Sequence, residues 1–398
     1  MNVTDEQIPQ AQQPSSLTNG HAAYPIADHR SPITERRHEI DAKQEQVAAL
    51  IAEAGVDGML ILDPANVAWI SGAALCHGVV DPGEWPALFF LPAQRWLLCA
   101  NTDTQRLFDL HLDGLGFQLK EWPWHWGRDR LLADLCANRK VAADRVVTDC
   151  VPVGPTLRRL RCTLTPAEQA RVRDLGAKVA HAVEATGRTL ERGQCEAEVA
   201  GQLAHRLVHR GLTPVQITVA GDGRLDRHRR AGVSPGSVER TCVLAATAMA
   251  GGLHATVART VSFGEPPPEI REAHEVACRV LAAQASAARP GVTAPEVLLA
   301  GRRIAQLSGG EHEWRQTPPG WVTGWLSVER PVVPTAAYSL GDGWATVWQA
   351  GIGPALVADT FLVTDPPSCI TPIEIWPAKR INVGGCTFDI ADILNGDE

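Results

Sequence analysis

The chain lacks any run of about 18 apolar residues, so no segment is expected to span a membrane. It also lacks a basic N-terminal patch followed by an apolar stretch, so no secretory leader is expected. Its ten cysteines contain no CxxC pair and are scattered singly from Cys76 to Cys386. That spacing suits buried thiols in a reducing compartment better than disulfides or a zinc site, and it points to the cytoplasm. Positive charge is not in excess. The net charge of −8 argues against non-specific nucleic-acid binding. A GxSxG elbow, a P-loop and a dinucleotide fingerprint are all missing, which removes support for hydrolases and nucleotide enzymes of other folds. Gly221-Asp-Gly223 is a turn signal and nothing more. What remains is 398 residues, 45% hydrophobic and 21% charged, the composition of a soluble globular protein of two domains.

Residues 1–34 are rich in Gln, Pro, Ser and Asn without apolar periodicity, and they are expected to form a flexible arm. From Arg36 to Ala54, Ile40, Val47, Leu50 and Ile51 recur at helical spacing, and Gly55 to Gly58 ends that helix. Met59–Leu62, Ala87–Leu91, Trp96–Ala100 and Arg145–Thr148 read as strands, and Arg128–Ala137 as a helix. Residues 35–162 therefore form a small α/β domain. A second domain, residues 163–398, opens at Thr165-Pro-Ala-Glu168, where a Thr cap, an early Pro and an early Glu mark a helix start. Two helices over 165–190 and 194–211 come first, strands follow at Val215–Val219, Arg240–Ala245 and Val257–Phe263, and a helix pair spans about 268–306. A strand-rich stretch follows from Trp325 to Thr364, with a strand-and-turn tail from Trp376 to Ile393. The expected class is α+β, a curved antiparallel sheet covered by helices, preceded by the smaller α/β domain.

Five segments carry a family resemblance. Asp63-Pro-Ala-Asn-Val-Ala-Trp-Ile-Ser-Gly72 resembles the "DPxNixYLTG" segment of creatinase-like N-terminal domains, and Leu164-Thr-Pro-Ala-Glu168 resembles "xTpxEixxxR". Arg259-Thr-Val-Ser-Phe-Gly264 resembles "RTxxxG", and Gly320 to Pro331 resembles "GHGxGxxxHExP". Gly351-Ile352 with Ala358-Asp-Thr-Phe-Leu-Val-Thr364 resembles "EPGI…EDTxxVT". The segments occur in order, and together they identify the chain as similar to the creatinase/prolidase/aminopeptidase P family. That implies a C-terminal pita-bread domain behind a creatinase-like N-terminal domain. It also implies a homodimer in which N-terminal domains pack across the partner.

The family's peptidases hold two divalent ions with two Asp, one His and two Glu, because paired hard cations need anionic oxygens around them. The resemblance places those ligands on Ala245, Thr256, Trp321, Gln349 and Ala358. A metal-free site without a cofactor is therefore expected. Creatinase, a family member, works without metal through a histidine base, and the matching slot holds His228. A neutral imidazole near its free pKa of about 6.5 suits general-base work; the alternative is a surface histidine in a loop rich in Arg. His254, two residues before Thr256, shares its strand face and stands where creatinase has a substrate-contacting Tyr.

Arg259 and Glu329 match family positions for which a supporting role competes with substrate contact. The His of "HExP" is Val328 here. The carboxylates that hold creatinase's guanidinium fall on Ala258 and Gln349, so a cationic substrate would be buried without a counter-charge. The site therefore reads as neutral and polar. Trp314, Trp321, Trp325, Trp344 and Trp348 crowd one segment. They wall an aromatic pocket, or they fill the space the ions would take. Trp348 and Gln349 fall on opposite strand faces. Trp122-Pro-Trp-His-Trp126 is a second aromatic cluster, with the density of an interface anchor. Cys76-His77 follows the Asn66 segment, at a loop that in creatinase-like dimers reaches the partner's site; an ordinary buried thiol beside an exposed ring is the alternative.

Two functions follow. One is a metal-independent hydrolase or lyase acting on a C–N or related bond of a small neutral or aromatic molecule. There His228 is the acid/base and His254 assists, with Trp321, Trp325, Gln349, Thr256, Arg259, Glu329, Cys76 and His77 around the substrate. The other is a non-catalytic binding or scaffold protein.

Overall fold

A computed structural model describes residues 33–72 and 85–397. The N-terminal sheet is built from β1 (Gly58–Ile61), β2 (Ala87–Leu91), β3 (Gln94–Ala100), β4 (Gln118–Trp122), β5 (Val141–Ala143) and β6 (Val151–Pro152). Its order is β4-β3-β2-β1-β5-β6, with β1 antiparallel to β2 and parallel to β5. Around it lie α1 (Ile33–Ala54), α2 (Pro64–Ser71), the short α3 (Thr104–Leu107), α4 (Asp129–Cys136) and α5 (Gly154–Cys162). Helix α1 buries Ile40, Val47 and Ile51, three of the four residues its periodicity singled out. Ile33 and Thr34 already belong to it; the rest of the expected arm lies outside the described residues.

One strand differs from expectation. The chain pairs with β1 at Val141–Ala143, not at 145–148, and Val146 is 101% exposed at a bend. Apolar residues alone misplaced the strand, because Asp144 ends it. The Asp144 carboxylate turns back to accept the backbone N–H groups of Leu62 and Asp63, at 2.7 and 3.1 Å.

The second sheet has the order β11-β10-β12-β13-β9-β8-β7 and is antiparallel along that path. Its strands are β7 (Thr213–Gly221), β8 (Thr241–Ala250), β9 (Leu253–Ser262), β10 (Gly320–Thr323), β11 (Arg330–Pro331), β12 (Ala345–Ile352) and β13 (Ala355–Leu362). The helices of this half are α6 (Pro166–Arg188), α7 (Glu196–His209), α8 (Arg224–Arg227), α9 (Pro268–Ala287), α10 (Ala294–Leu307) and the short α11 (Glu311–Trp314). The tail folds into a hairpin, and Ile393–Asn395 then pairs in parallel with β9. Curved sheet and covering helices together make the α+β pita-bread architecture.

Strand alternation divides this sheet into two chemically different faces. On the helix side, Leu244, Ala246, Ala248, Val257 and Val261 join the core under α6. Trp348, Ala350, Val357 and Phe361 join a second core under α9. Buried ion pairs brace this side. Arg259 donates from Nε to Glu184 of α6 at 3.1 Å and from Nη1 to Asp359 at 2.9 Å, all three buried. Burial would lower the Arg259 pKa, but Asp359 and Glu184 outweigh it and raise the value.

Two further polar groups join the halves of the chain. The α6 capping box between Thr165 and Glu168 forms as expected, and Glu168 also meets Lys43 of α1 at 2.6 Å. Lys43 pairs with Glu39 as well, at 2.7 Å, and lies over the rings of Trp69 and Trp325. Burial would raise the Glu39 pKa, but Lys43 and Arg171 bring it down to about 2. Arg161 of α5 donates to both carboxylate oxygens of Glu329 at 2.7–3.0 Å and to Asn66 Oδ1 at 2.6 Å. Asn66 in turn donates to Asp144 at 2.8 Å. The chain Asp144–Asn66–Arg161–Glu329 thus runs from β5 to the loop after β10.

Candidate active site

The candidate site is the other face of the second sheet. Register alone assembles it: Thr247 pairs with Thr256, Ala245 with Ala258, Ala258 with Ala358, Ala358 with Gln349 and Trp321 with Val347. Cross-strand partners share a face. Ala245, Thr256, Trp321, Gln349 and Ala358 therefore lie on one surface, away from Arg259, Asp359 and Trp348. Thr218 joins them opposite Ala245. Ala245, Thr218, Trp321 and Gln349 keep partial solvent contact.

The floor is neutral and hydrogen-bonded. Thr247 and Thr256 share a hydroxyl–hydroxyl bond of 2.8 Å. Between β9 and β13 the ladder is a single pair, and Thr360 fills the gap beside it. Its hydroxyl donates to Thr256 O at 2.7 Å and accepts from Thr256 N–H at 2.9 Å. Gln349 Nε2 donates to Pro318 O at 2.7 Å, while the buried Trp321 indole N–H has no acceptor among the described residues.

The two histidines occupy different ends. His254, 7% exposed, faces Met249 near the β8–β9 turn, and its Nδ1 lies 3.0 Å from Gly324 O. Because a carbonyl accepts, Nδ1 carries the proton in that contact. Burial lowers the His254 pKa, and the carbonyls of Gly324 and Gly252 only partly oppose it. Gly252 is required here. At φ 89° it brings the turn against Trp325 and Ala68, where a Cβ would sit 2.9–3.0 Å from both side chains.

His228 ends α8 with an exposed ring, and its backbone N–H donates to Arg224 O at 3.0 Å. Its loop is pinned by Arg224–Glu196 at 2.9 Å and by an Arg229–Glu313 ion pair. Leu225 and Ala231 seat the loop on the site face at Ala220, Val243 and Leu356. Val243 and Met249 are six residues apart on β8, roughly 20 Å at the usual strand rise. The structure therefore does not bring His254 up to the anchor of the His228 loop, and a paired-histidine mechanism loses its geometric basis.

Other sequence expectations need correction. Arg259 is buried on the helix side between Glu184 and Asp359, facing away from the site. Glu329 is buried against Arg161, and Trp325 is buried over Lys43. These three are framework residues, because the groups they pair with lie inside the fold. Neither account of the tryptophan cluster holds as stated. Trp344 and Trp348 belong to the core behind the sheet, and Trp321 alone of the five stands on the site face by register. Trp122 is buried, whereas Trp124 and Trp126 are 58% and 66% exposed. Cys76 and His77 lie outside the described residues. Sequence reading missed Thr247, although alternation from Ala245 puts it on the same face. It also missed Arg161, for which no local signal exists.

Comparison with known proteins places this half of the chain. The model of metallopeptidase family M24 matches residues 170–341. That stretch is an M24-family domain. A probable dipeptidase PepE of Mycobacterium tuberculosis is 27% identical over 222 residues, covering 52% of this chain and 58% of that protein. The match thus spans less than two thirds of that relative's length. The crystal structure of dipeptidase PepE from Mycobacterium ulcerans superposes with a TM-score of 0.71 at 21% identity, covering 85% of this chain and 97% of that one. Prolidase from Pyrococcus horikoshii gives 0.72 at 17% identity, covering 84% and 99%. The M24 domain and its N-terminal partner therefore have the fold of prolidase-type proteins.

The metal pair implied by the family can be tested against the donors present. At the five positions stand two alanines, a threonine, a tryptophan and a glutamine. None offers the carboxylate or imidazole that a divalent ion needs. Among the described residues no group of three or more His, Cys, Asp or Glu is placed to hold an ion. The five residues that the resemblance assigns to the ions do not fit a resident metal pair. No described helix is long and apolar enough to cross a membrane.

The buried histidines make a pH prediction. His254 and His274 both have pKa values lowered below 6.5, first by burial. The unfolded chain takes up protons near 6.5 while the native site resists, so stability falls as pH drops through that value. Urea midpoints should decline between about pH 7.5 and 5.5, and less so in His254→Gln. An identical decline in that variant would remove His254 from the account.

Proposed function

We propose that the M24 domain of this chain is a hydrolase or lyase for a C–N bond of a small uncharged or aromatic molecule, and that it works without a divalent metal pair. The observation that supports this is the row Ala245, Thr256, Trp321, Gln349 and Ala358 on one sheet face, an aligned surface without a carboxylate. Threonine hydroxyls, the Gln349 amide and the Trp321 ring offer hydrogen bonds and a flat apolar contact, which suit a neutral amide better than an ion. The relatives named dipeptidase make a peptide or amide bond the first to try. His228 is the acid/base in this reading, because its exposed ring is on the loop that closes one end of the face.

The test uses the full chain and a panel of uncharged dipeptide amides and N-acyl arylamides. Turnover should survive exhaustive chelation. It should fall about 10²-fold or more in His228→Ala, the usual contribution of a positioned acid/base. Activity that needs added manganese or zinc would overturn metal independence. Binding without turnover of any compound would replace the enzyme with a binding protein.

A further inference from the structure

Helix α7 buries Val199, Leu203 and Leu207 in the core on the helix-covered side of the second sheet. That apolar stripe leaves the opposite face of the helix to solvent. His205 and His209 stand there, both exposed and four residues apart, a spacing that makes side chains neighbours on a helix surface. Their imidazole rings lie with centroids 6.0 Å apart and planes at 20°. Neither ring has a hydrogen-bond or ion-pair partner among the described residues. The cations beside them are engaged elsewhere: Arg206 Nη2 donates to Thr189 Oγ1 at 2.8 Å, and Arg210 Nη1 to Arg206 O at 3.0 Å. His209 is also the last residue of α7, where the negative end of the helix dipole favours a cation.

We propose that His205 and His209 form a two-nitrogen clamp for a divalent first-row transition ion of the nickel, copper or zinc type, apart from the site face. Imidazole suits these ions, and two donors leave the remaining positions to water. An ion held about 2.0–2.1 Å from one nitrogen of each ring lies roughly 3.2 Å from each ring centre. Two rings can therefore share one ion whenever their centres are closer than about 6.4 Å. The observed 6.0 Å meets that limit, and rotation of the exposed side chains completes the grip. Among the described residues no third His, Cys, Asp or Glu joins the pair. Hard, oxygen-seeking ions such as magnesium and manganese are therefore poor occupants. Ligation fastens the last turn of α7. The first turn carries Glu196, which accepts from the N–H groups of Gly221 and Ser234 at 2.8 Å and pairs with Arg224 of the His228 loop. The ion thus grips one end of the helix whose other end holds that loop.

Calorimetric titration of the full chain with nickel chloride, in a buffer without chelator or thiol, reads the clamp directly. His205→Gln and His209→Gln should each weaken nickel binding by about tenfold or more, because the second nitrogen of a chelate binds intramolecularly. His38→Gln, a change at another exposed imidazole, should leave binding unaltered. His209→Gln combined with Arg210→His keeps the number of histidines but sets them five residues apart, and it should bind no better than His209→Gln alone. Manganese should bind the parent about tenfold more weakly than nickel, or weaker still. Far-ultraviolet circular dichroism confirms that each variant is folded. Nickel binding that survives either glutamine substitution, recovery at the five-residue spacing, manganese bound as tightly as nickel, or no binding at millimolar nickel would each overturn the proposal.

Discussion

Arg259→Met should destabilise the fold by about 3–5 kcal/mol, the usual penalty for removing one partner of a buried ion network. The substitution nearly conserves volume but leaves Glu184 and Asp359 in the interior without their cation. Glu184 also accepts from the backbone N–H groups of Glu374 and Ile375, so its loss of position would spread to the tail. Urea unfolding followed by tryptophan fluorescence measures the loss. The triple variant Arg259→Met, Glu184→Leu, Asp359→Leu should regain part of it, because an apolar set of similar volume needs no desolvated charge. A loss under about 1 kcal/mol for Arg259→Met alone would mean the pair is no stronger than a surface contact.

Ala245→Asp, Thr256→Asp, Trp321→His, Gln349→Glu and Ala358→Glu, made together, should create a divalent-cation site. Without metal the variant should be less stable than its parent, since four carboxylates on one face repel. At a hundred- to thousandfold excess of manganese over its dissociation constant, about 3–4 kcal/mol should return by mass action. The parent should gain nothing. Thermal unfolding with and without manganese, with calorimetric titration, reads both effects. If metal leaves the fivefold variant unchanged, the correspondence between these positions and the family's ligand set is wrong.

The curved sheet was readable because its periodicities are local. The Thr165–Glu168 box marked the start of α6, and alternation separated Trp348 from Gln349 before any pairing was known. The single-file order of five weak segments carried the fold further than any one of them. What escaped reading was long-range. Arg161 and Glu329 are 168 residues apart, and nothing near either predicts the other. Trp325 looked like a pocket wall because its neighbours in sequence face the site, but the loop after β10 turns it inward against Lys43. His228 and His254 seemed partners because each matched a family position. Register along β8, which no motif encodes, separates the loop of one from the strand position of the other.

The division of the second sheet into a braced face and a plain one has a consequence for how such a chain can change over generations. Arg259, Glu184, Asp359 and the Trp348 core lie behind the strands, so replacing the residues in front leaves the foundations in place. The reactive surface behaves like an interchangeable tile. New catalytic or binding chemistry can be tried there one side chain at a time, while a single lost brace on the reverse would bring the wall down.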